Sequence, residues 1–314
     1  MSRLAIIIPH FGDTAALEET LASVLANRPA ESEIVVVQGR PYADPYALGD
    51  EVRFVDGAQA AGVAAAVNLG VAAGRAAIVH TLACGTTVCE GWADAALSHF
   101  QNPAVGCVAP LLLDAESPET VLAAGTIYRE GGDVRTLHRG KPAAELGPKP
   151  KKVTAPHAMA AFWRREALEA AGGAPVACNA RVWNVDLGLS LRQLGFLTVL
   201  DPRSLVCAAA ARAFPAGRLL AAMDSERLFW RWAPAVGWTR ALAMHAALVA
   251  AEGFRGLVDL GIVARATGRT LGCLLGVAQS GRRRHVAALA AQRNAARADA
   301  AVAPTPRATL RRSA

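Results

Sequence analysis

The sequence predicts an α/β fold in which a mainly parallel sheet lies between helices and a helical extension follows. Short apolar, β-branched runs alternate with helical patterns over about the first 115 residues. Continuous apolar strands separated by helices are typical of parallel sheets that are buried on both faces. After about residue 214 the pattern becomes helical.

Four strand patterns define the N-terminal part. They cover residues 4–9, 33–38, 52–55 and 76–82. Helical patterns follow the first, third and fourth strands, at residues 15–27, 62–73 and 91–100. Asp13 or Thr14 is the expected N-cap of the first helix. In such sheets ligands bind at the carboxyl ends of the strands, so the loops that follow the strands are the candidate site.

The next part is less regular. Strand patterns cover residues 105–113, 120–128 and 196–200, and helical patterns cover residues 162–171 and 185–194. Residues 131–152 are rich in Gly, Pro and charge, which predicts a mobile loop. We expect three regions: a domain at 1–213, a helical extension at 214–280 and a basic, partly disordered tail at 281–314.

Composition and charge narrow the functional classes. Hydrophobic residues make up 53% of the 314 residues and charged residues 19%, which argues against wholesale disorder. The tail at 281–314 has eight arginines against Asp299 alone, whereas residues 1–280 hold 25 basic and 25 acidic residues. Such a tail can contact anionic lipid or nucleic acid, or can be a solvated basic helix with a disordered end. We do not expect nucleic acid to be the partner.

The sequence predicts a cytoplasmic location. Six cysteines without paired spacing, and a start that runs directly into a strand, indicate reduced thiols and no signal peptide. No window reaches the ~18 to 20 uncharged apolar residues that a bilayer span needs. Peripheral contact with the inner face of the membrane through residues 226–314 stays open. The aromatic cluster there, Phe229, Trp230, Trp232 and Trp238, can instead pack on the core.

Several stretches together resemble family 2 glycosyltransferases. They are LAIIIPHFGDTAALEETLASVLAN, EIVVVQG, GVAAAVNLGVAAG, FWRREALEAAGG and VDLGLSLRQLGF, and they cover about residues 3–205. The resemblance implies a GT-A fold with a Rossmann-like nucleotide-binding half. It also implies transfer of a sugar from a nucleotide sugar to a glycan or lipid-linked acceptor, in polysaccharide or other glycan biosynthesis.

The resemblance also assigns candidate site residues. Gln38 stands where the family has an Asp for the nucleotide base, and Ala83 and Gly85 stand where it has acids for a divalent cation. Asn184 falls at the general base, or is only an N-cap, and Asp186 is the remaining downstream acid. The candidates are, for catalysis, Asp186 and Asn184, and, for the nucleotide sugar, Pro9, His10, Phe11, Gln38, Asn68, Ala83 and Gly85.

The acidic chemistry of the family is therefore missing at its usual positions. The resemblance implies Mg²⁺ or Mn²⁺, but Ala83 and Gly85 offer no oxygen ligands. Other side chains that can substitute are Asp13, Asp44, Asp56, His10 and His80. A zinc site at His80, Cys84 and Cys89 is not expected, because the paired spacing is absent. Three hypotheses stay open. The first is a transferase with a displaced site that either uses or lacks a metal, and the second is a non-catalytic pseudo-glycosyltransferase that acts as a binding or scaffold protein. The third is a peripheral membrane or anionic-surface protein that acts through the tail.

Overall fold

A computed structural model of the protein describes residues 3–178, 180–213, 217–258, 261–278, 284–293 and 295. The strands are β1 (Leu4–His10), β2 (Ser32–Gln38), β3 (Val52–Asp56), β4 (Ile78–Leu82), β5 (Thr86–Val88), β6 (Val105–Asp114), β7 (Val121–Ala123), β8 (Thr126–Tyr128), β9 (Val134–Thr136), β10 (Lys151–Lys152), β11 (Ala160–Arg164) and β12 (Leu197–Ala208). The helices are α1 (Thr14–Ala26), α2 (Val63–Ala73), α3 (Trp92–Ser98), α4 (Arg165–Ala170), α5 (Trp183–Gln193), α6 (Ala210–Ala213), α7 (Arg218–Val236), α8 (Trp238–Val258), α9 (Ile262–Ala278) and α10 (284–293).

The central sheet has the order β10-β12-β6-β11-β4-β1-β2-β3, with β5 paired to β12 and β7 paired to β6. Strands β3, β2, β1 and β4 run parallel to one another, and β12 runs parallel to β6. The intervening β11 is antiparallel to both of its neighbours. The predicted α/β class with a mainly parallel sheet is confirmed.

The N-terminal half positions the candidate loops as the sequence predicts. His10 pairs with Gln38, and Gln38 pairs with Asp56, so the ends of β1, β2 and β3 are level. Asp13 is the N-cap of α1, where its side chain accepts a hydrogen bond from the amide of Ala15. These strand ends form one edge of the sheet, which is where parallel α/β sheets bind ligands.

The prediction of a helix over residues 162–171 is wrong at its start. Residues 160–164 form β11, and the helix that follows, α4, has only six residues. Phe162 and Trp163 are both completely buried, on opposite faces of the strand. Burial on two faces favours an extended strand, in which successive side chains point in opposite directions.

Other differences lie between β7 and β12. The stretch predicted as one strand over 120–128 is two strands, β7 and β8, separated by Gly125 at φ 76°. Residues 131–152, predicted as a mobile loop, contain β9, β10 and a short 3-10 helix at Ala143–Leu146. The strand predicted at 196–200 extends to Ala208 as β12.

The C-terminal extension is helical, as predicted. Phe229 and Trp232 of α7 are buried, so these aromatic rings pack inward, whereas Trp238 at the start of α8 is 47% exposed. Within the described residues, no helix is long and apolar enough to cross a membrane. Of the tail at 281–314, only 284–293 and 295 are described, and the remainder of that prediction lies outside the described residues.

Candidate functional site

A cavity of about 790 Å³ opens at the carboxyl edge of the sheet. Ala83, directly after β4, lines it together with Val63 at the start of α2 and Asn184 near the start of α5. The β8–β9 hairpin, the loop residues 157–159 and 180–182, and helices α6 to α9 also contribute to the wall. The volume falls within the range of roughly 300 to 1,000 Å³ that is typical of small-molecule sites.

The cavity wall is strongly basic. Its acidic residues are Asp133, Asp224 and Glu252. Its arginines are Arg135, Arg139, Arg181, Arg212, Arg218 and Arg265. Since six cations face three anions, the lining carries a formal charge of +3 and favours an anionic ligand. No local sequence pattern identifies these arginines, because they come from elements that are distant along the chain.

The loop after β4 provides the backbone floor of this region. The amide of Ala83 donates to the carbonyl of Met159 at 2.8 Å, and the amide of Gly85 lies 2.9 Å from Oγ1 of Thr20. Gly85 has φ 77°, a conformation that glycine adopts without strain. A Cβ on Gly85 would overlap the guanidinium of Arg212, which therefore lies against this loop.

His10, Cys84 and His80 near this loop are neutral. Burial raises the pKa of the Cys84 thiol to about 12, and that thiol donates to the carbonyl of Pro9 at 3.3 Å. Burial lowers the pKa of His80 to about 3, and its ring stacks on Phe162. Burial, with the charge of Arg40, also lowers the pKa of His10. His80 is thus a core residue, which argues against a ligand or base role for it.

Asn184 is the candidate catalytic residue that lies at the cavity. It is 2% exposed, and its Nδ2 donates to the carbonyl of Pro156 at 2.6 Å. Among the described residues, no donor satisfies its Oδ1. The N-cap of α5 is Val182, so the alternative interpretation of Asn184 as an N-cap is wrong.

Asp186 has a different position from the one that the resemblance implies. Its side chain is completely buried, and Oδ1 lies 2.8 Å from Nη1 of Arg231 and accepts from Nε1 of Trp232 at 2.9 Å. Both partners belong to α7, so Asp186 joins α5 to the C-terminal extension. It does not line the cavity. These contacts favour a structural role for the Asp186 carboxylate, and its catalytic role stays a prediction.

The predicted residues of the first two strand ends form a neighbouring group. The ring of Phe11 lies over Gly39, and the His10 carbonyl accepts from the amides of Gly39 and Arg40 at 2.8 and 3.2 Å. Gln38 is half-buried, with its Nε2 3.4 Å from the carbonyl of Tyr42. Pro9, His10, Phe11 and Gln38 do not line the large cavity, and their role in nucleotide binding stays a prediction.

The side chain of Asn68 bonds to backbone. Its Nδ2 donates to the carbonyl of Ala174 at 2.9 Å, and its Oδ1 accepts from the amide of the same residue at 2.7 Å. These two bonds fasten α2 to the loop between α4 and α5. Packing against backbone thus accounts for the Asn68 side chain, and its contact with a nucleotide stays a prediction.

The aspartates that were considered as substitutes have local roles. Asp13 caps α1, Asp44 accepts from the amide of Leu48 at 2.9 Å, and Asp56 accepts from the amide of Ala58 at 2.9 Å. Across the described part of the chain, no three His, Cys, Asp or Glu side chains converge as a metal site would require. The residues present therefore do not fit a hard divalent cation, which prefers several carboxylate oxygens.

His157 lines the cavity and was not identified from the sequence. Burial and the nearby charge of Arg139 lower its pKa to about 4, so its ring is neutral near pH 7. The amide of Met159 donates to its Nδ1 at 3.4 Å, which favours the tautomer protonated on Nε2. His157 directly follows Pro156, whose carbonyl accepts from Asn184, so it lies next to a motif residue.

Two solved structures are similar to this chain in their fold. No family model and no curated protein sequence matches the chain. The chain is similar to the crystal structure of GalNAc-T7 with UDP, GalNAc and Mn²⁺, with a TM-score of 0.54 and 15% identity. That match covers 66% of this chain and only 43% of the GalNAc-T7 chain.

A second similar structure matches along most of both chains. It is the mannosyltransferase PcManGT from Pyrobaculum calidifontis in complex with GDP-Man and Mn²⁺, with a TM-score of 0.52 and 16% identity. The match covers 88% of this chain and 86% of that chain. At such identities the likeness concerns the fold. The sheet, the cavity at its carboxyl edge and these two structures together show that the chain has a GT-A-like glycosyltransferase fold.

Proposed function

We propose that this protein binds a nucleoside diphosphate sugar in the cavity and transfers the sugar to an acceptor glycan or lipid, as a transferase of the family 2 type. The observation that carries the proposal is the basic cavity of about 790 Å³ at the carboxyl edge of the sheet. Nucleotide sugars are anionic through their diphosphate, and a lining of +3 complements that charge. The two similar structures hold UDP and GDP-Man, respectively.

The test combines binding and turnover. The protein is titrated calorimetrically with a panel of UDP-, GDP-, ADP-, CDP- and dTDP-sugars, and the release of nucleotide is followed with and without candidate acceptors. We expect saturable binding of at least one donor and nucleotide release above the buffer blank. Failure of every donor to bind would refute the proposal.

A matched pair of variants localises the binding. Ala83 lines the cavity, whereas Ala72 is exposed on α2 and lies outside the cavity lining. Ala83→Leu adds the same bulk as Ala72→Leu but places it in the cavity, so Ala83→Leu should weaken donor binding by at least tenfold. Equal affinities for the two variants would place the donor elsewhere.

A second candidate function is a pseudo-glycosyltransferase that binds its ligand without turnover. Asn184 occupies the expected base position, and an amide cannot take up a proton near neutral pH. Loss of a positioned base costs roughly 10²- to 10⁴-fold in rate. Donor binding with no nucleotide release over many hours, in the presence of all acceptors tried, would favour this candidate over the transferase.

A further inference from the structure

Arg212 lies where the loop after β4 comes closest to the cavity. It belongs to α6, the four-residue helix that follows β12. A Cβ on Gly85 would overlap its Nη1 and would lie 2.8 Å from its Cδ. The space that a side chain at residue 85 would fill is therefore filled by the guanidinium of Arg212. Arg212 also lines the cavity, together with Ala83.

Asp13 holds Arg212 in this place. Oδ2 of Asp13 lies 3.4 Å from Nη2 of Arg212, while Oδ1 of Asp13 accepts from the amide of Ala15 and caps α1. The side chains of Arg212 and Asp13 are 38% and 60% exposed, respectively, so this pair contributes little to stability by itself. Its main consequence is positional: the cation stays over the loop instead of extending into solvent.

The loop itself has no anionic group that Arg212 would neutralise. Ala83 and Gly85 have no polar side-chain atoms, and the intervening Cys84 stays a neutral thiol because burial raises its pKa. As described above, the donor set does not fit a divalent cation either. Arg212 therefore brings a permanent positive charge to a cavity whose lining favours an anionic ligand.

We propose that Arg212 binds the diphosphate of the nucleotide sugar in place of a divalent cation, so that the protein binds its donor without metal. This inference rests on the proposed function and concerns the same cavity. A guanidinium is planar and presents five donors, which suits two-point binding of phosphate oxygens. It carries one charge where a divalent cation carries two, and the other arginines of the cavity wall contribute to the difference.

Binding through a guanidinium also predicts how chelators and salt affect the affinity for a diphosphate. Arginine stays protonated throughout the accessible pH range, whereas carboxylate ligands of a metal must lose protons before they bind. Diphosphate binding through Arg212 should therefore be insensitive to chelators. It should weaken with salt, because exposed charges are screened at high ionic strength.

The experiment measures binding of UDP, GDP, ADP, CDP, dTDP and inorganic pyrophosphate by calorimetry, once in EDTA and once in Mn²⁺. For the wild-type protein we expect dissociation constants that agree within about twofold between the two conditions. Arg212→Ala should weaken binding at least tenfold, and Arg212→Lys should weaken it less, because lysine keeps the charge and loses the two-point geometry.

The matched control is Arg75→Ala. Arg75 is an exposed arginine just before β4, at the opposite end of that strand from Ala83. Arg75→Ala changes the net charge by the same amount as Arg212→Ala, but far from the cavity. Its variant should bind as the wild type does. The parent nucleosides provide a second control, since they lack phosphate and should be indifferent to Arg212→Ala. Circular dichroism melting confirms that each variant is folded.

The outcomes separate the two proposals. Binding that needs Mn²⁺, or an Arg212→Ala variant that binds as tightly as Arg75→Ala, overturns the inference and leaves the proposed function standing. Absence of binding by the wild type to every diphosphate and nucleotide sugar, in either condition, overturns both. Chelator-insensitive binding that depends on Arg212 supports both.

Discussion

Asp186 matches a position of the family motif, and its contacts in the structure are those of a buried ion pair. Its carboxylate pairs with Arg231, whose side chain is 3% exposed, and accepts from Trp232. Such a pair is not strong evidence for stability in itself, but the removal of one partner weakens the compensation of a buried charge. The expected consequence is a change in the free energy of unfolding.

We therefore predict that Asp186→Asn lowers the free energy of unfolding by about 3 to 5 kcal/mol, as is typical when one partner of a buried ion pair is lost. Urea unfolding measures this change, and the same substitution at the exposed Asp50 is the control, with an expected change within about 0.5 kcal/mol. Donor binding by the folded variant should be retained. Unchanged stability together with lost turnover would restore Asp186 as a catalytic residue.

Buried histidines predict a loss of stability in acid. Burial holds the pKa of His80 at about 3 and, with Arg139, that of His157 at about 4. In the unfolded chain the value is about 6.5, so below that pH the unfolded state binds protons that the folded state does not. The stabilising effect of the neutral rings is complete above about pH 6.5 and decreases as the pH falls towards 4.

For each histidine the expected slope is about 0.7 kcal/mol per pH unit between pH 7 and 6, and it approaches about 1.4 kcal/mol per pH unit near pH 5. Urea unfolding at pH 7, 6 and 5 measures both slopes. His80→Gln retains a donor for the carbonyl of Ala161, which lies 3.0 Å from Nδ1 in the wild type. Since the variant lacks one titrating ring, the contribution of one histidine to the slope should be lost. Identical slopes for the variant and the wild type would contradict the prediction.

At the scale of elements, the sequence predicts those strands and helices whose hydrophobic pattern is contained in a short stretch of the chain. β1 to β4 and the first two helices follow from apolar runs, helical patterns and one N-cap, since these signals lie within a few residues of each other. β11 does not follow from such signals. The stretch FWRREAL, residues 162–168, also fits a helix, and the insertion of its first residues between β4 and β6 makes them extended.

The candidate site shows the same division. Ala83 and Asn184, two candidates from the resemblance, both line the cavity, since Ala83 directly follows β4 and Asn184 lies in the first turn of α5. It could not place Arg212 against Gly85, since the two residues are far apart in sequence and the contact depends on the path of β12. The contacts of Asn68 with Ala174 and of Asp186 with Arg231 could not be predicted for the same reason, since these partners lie in distant segments.

At the scale of the whole molecule, part of the basic C-terminal region joins the core. In α10, Val286 is completely buried and Ala290 is 8% exposed, within the same apolar cluster as Trp163 and Phe196. The guanidinium of Arg293 lies 4.4 Å from the centre of the Phe196 ring and 3.8 Å from the carboxylate of Glu166. A chain end of high charge can thus contribute apolar contacts to the central fold.

A matched pair of substitutions tests whether this docking matters. Ala290→Asp places a carboxylate in the apolar cluster, whereas Ala288→Asp makes the same change at an exposed position of the same helix. An unpaired buried charge is unfavourable, so α10 should detach in Ala290→Asp, at a cost of about 1 to 3 kcal/mol in the free energy of unfolding. Limited proteolysis should then remove the C-terminal region faster from Ala290→Asp than from Ala288→Asp. Equal cleavage rates and equal stabilities would show that α10 does not dock in solution, and the core cluster would end with Phe196.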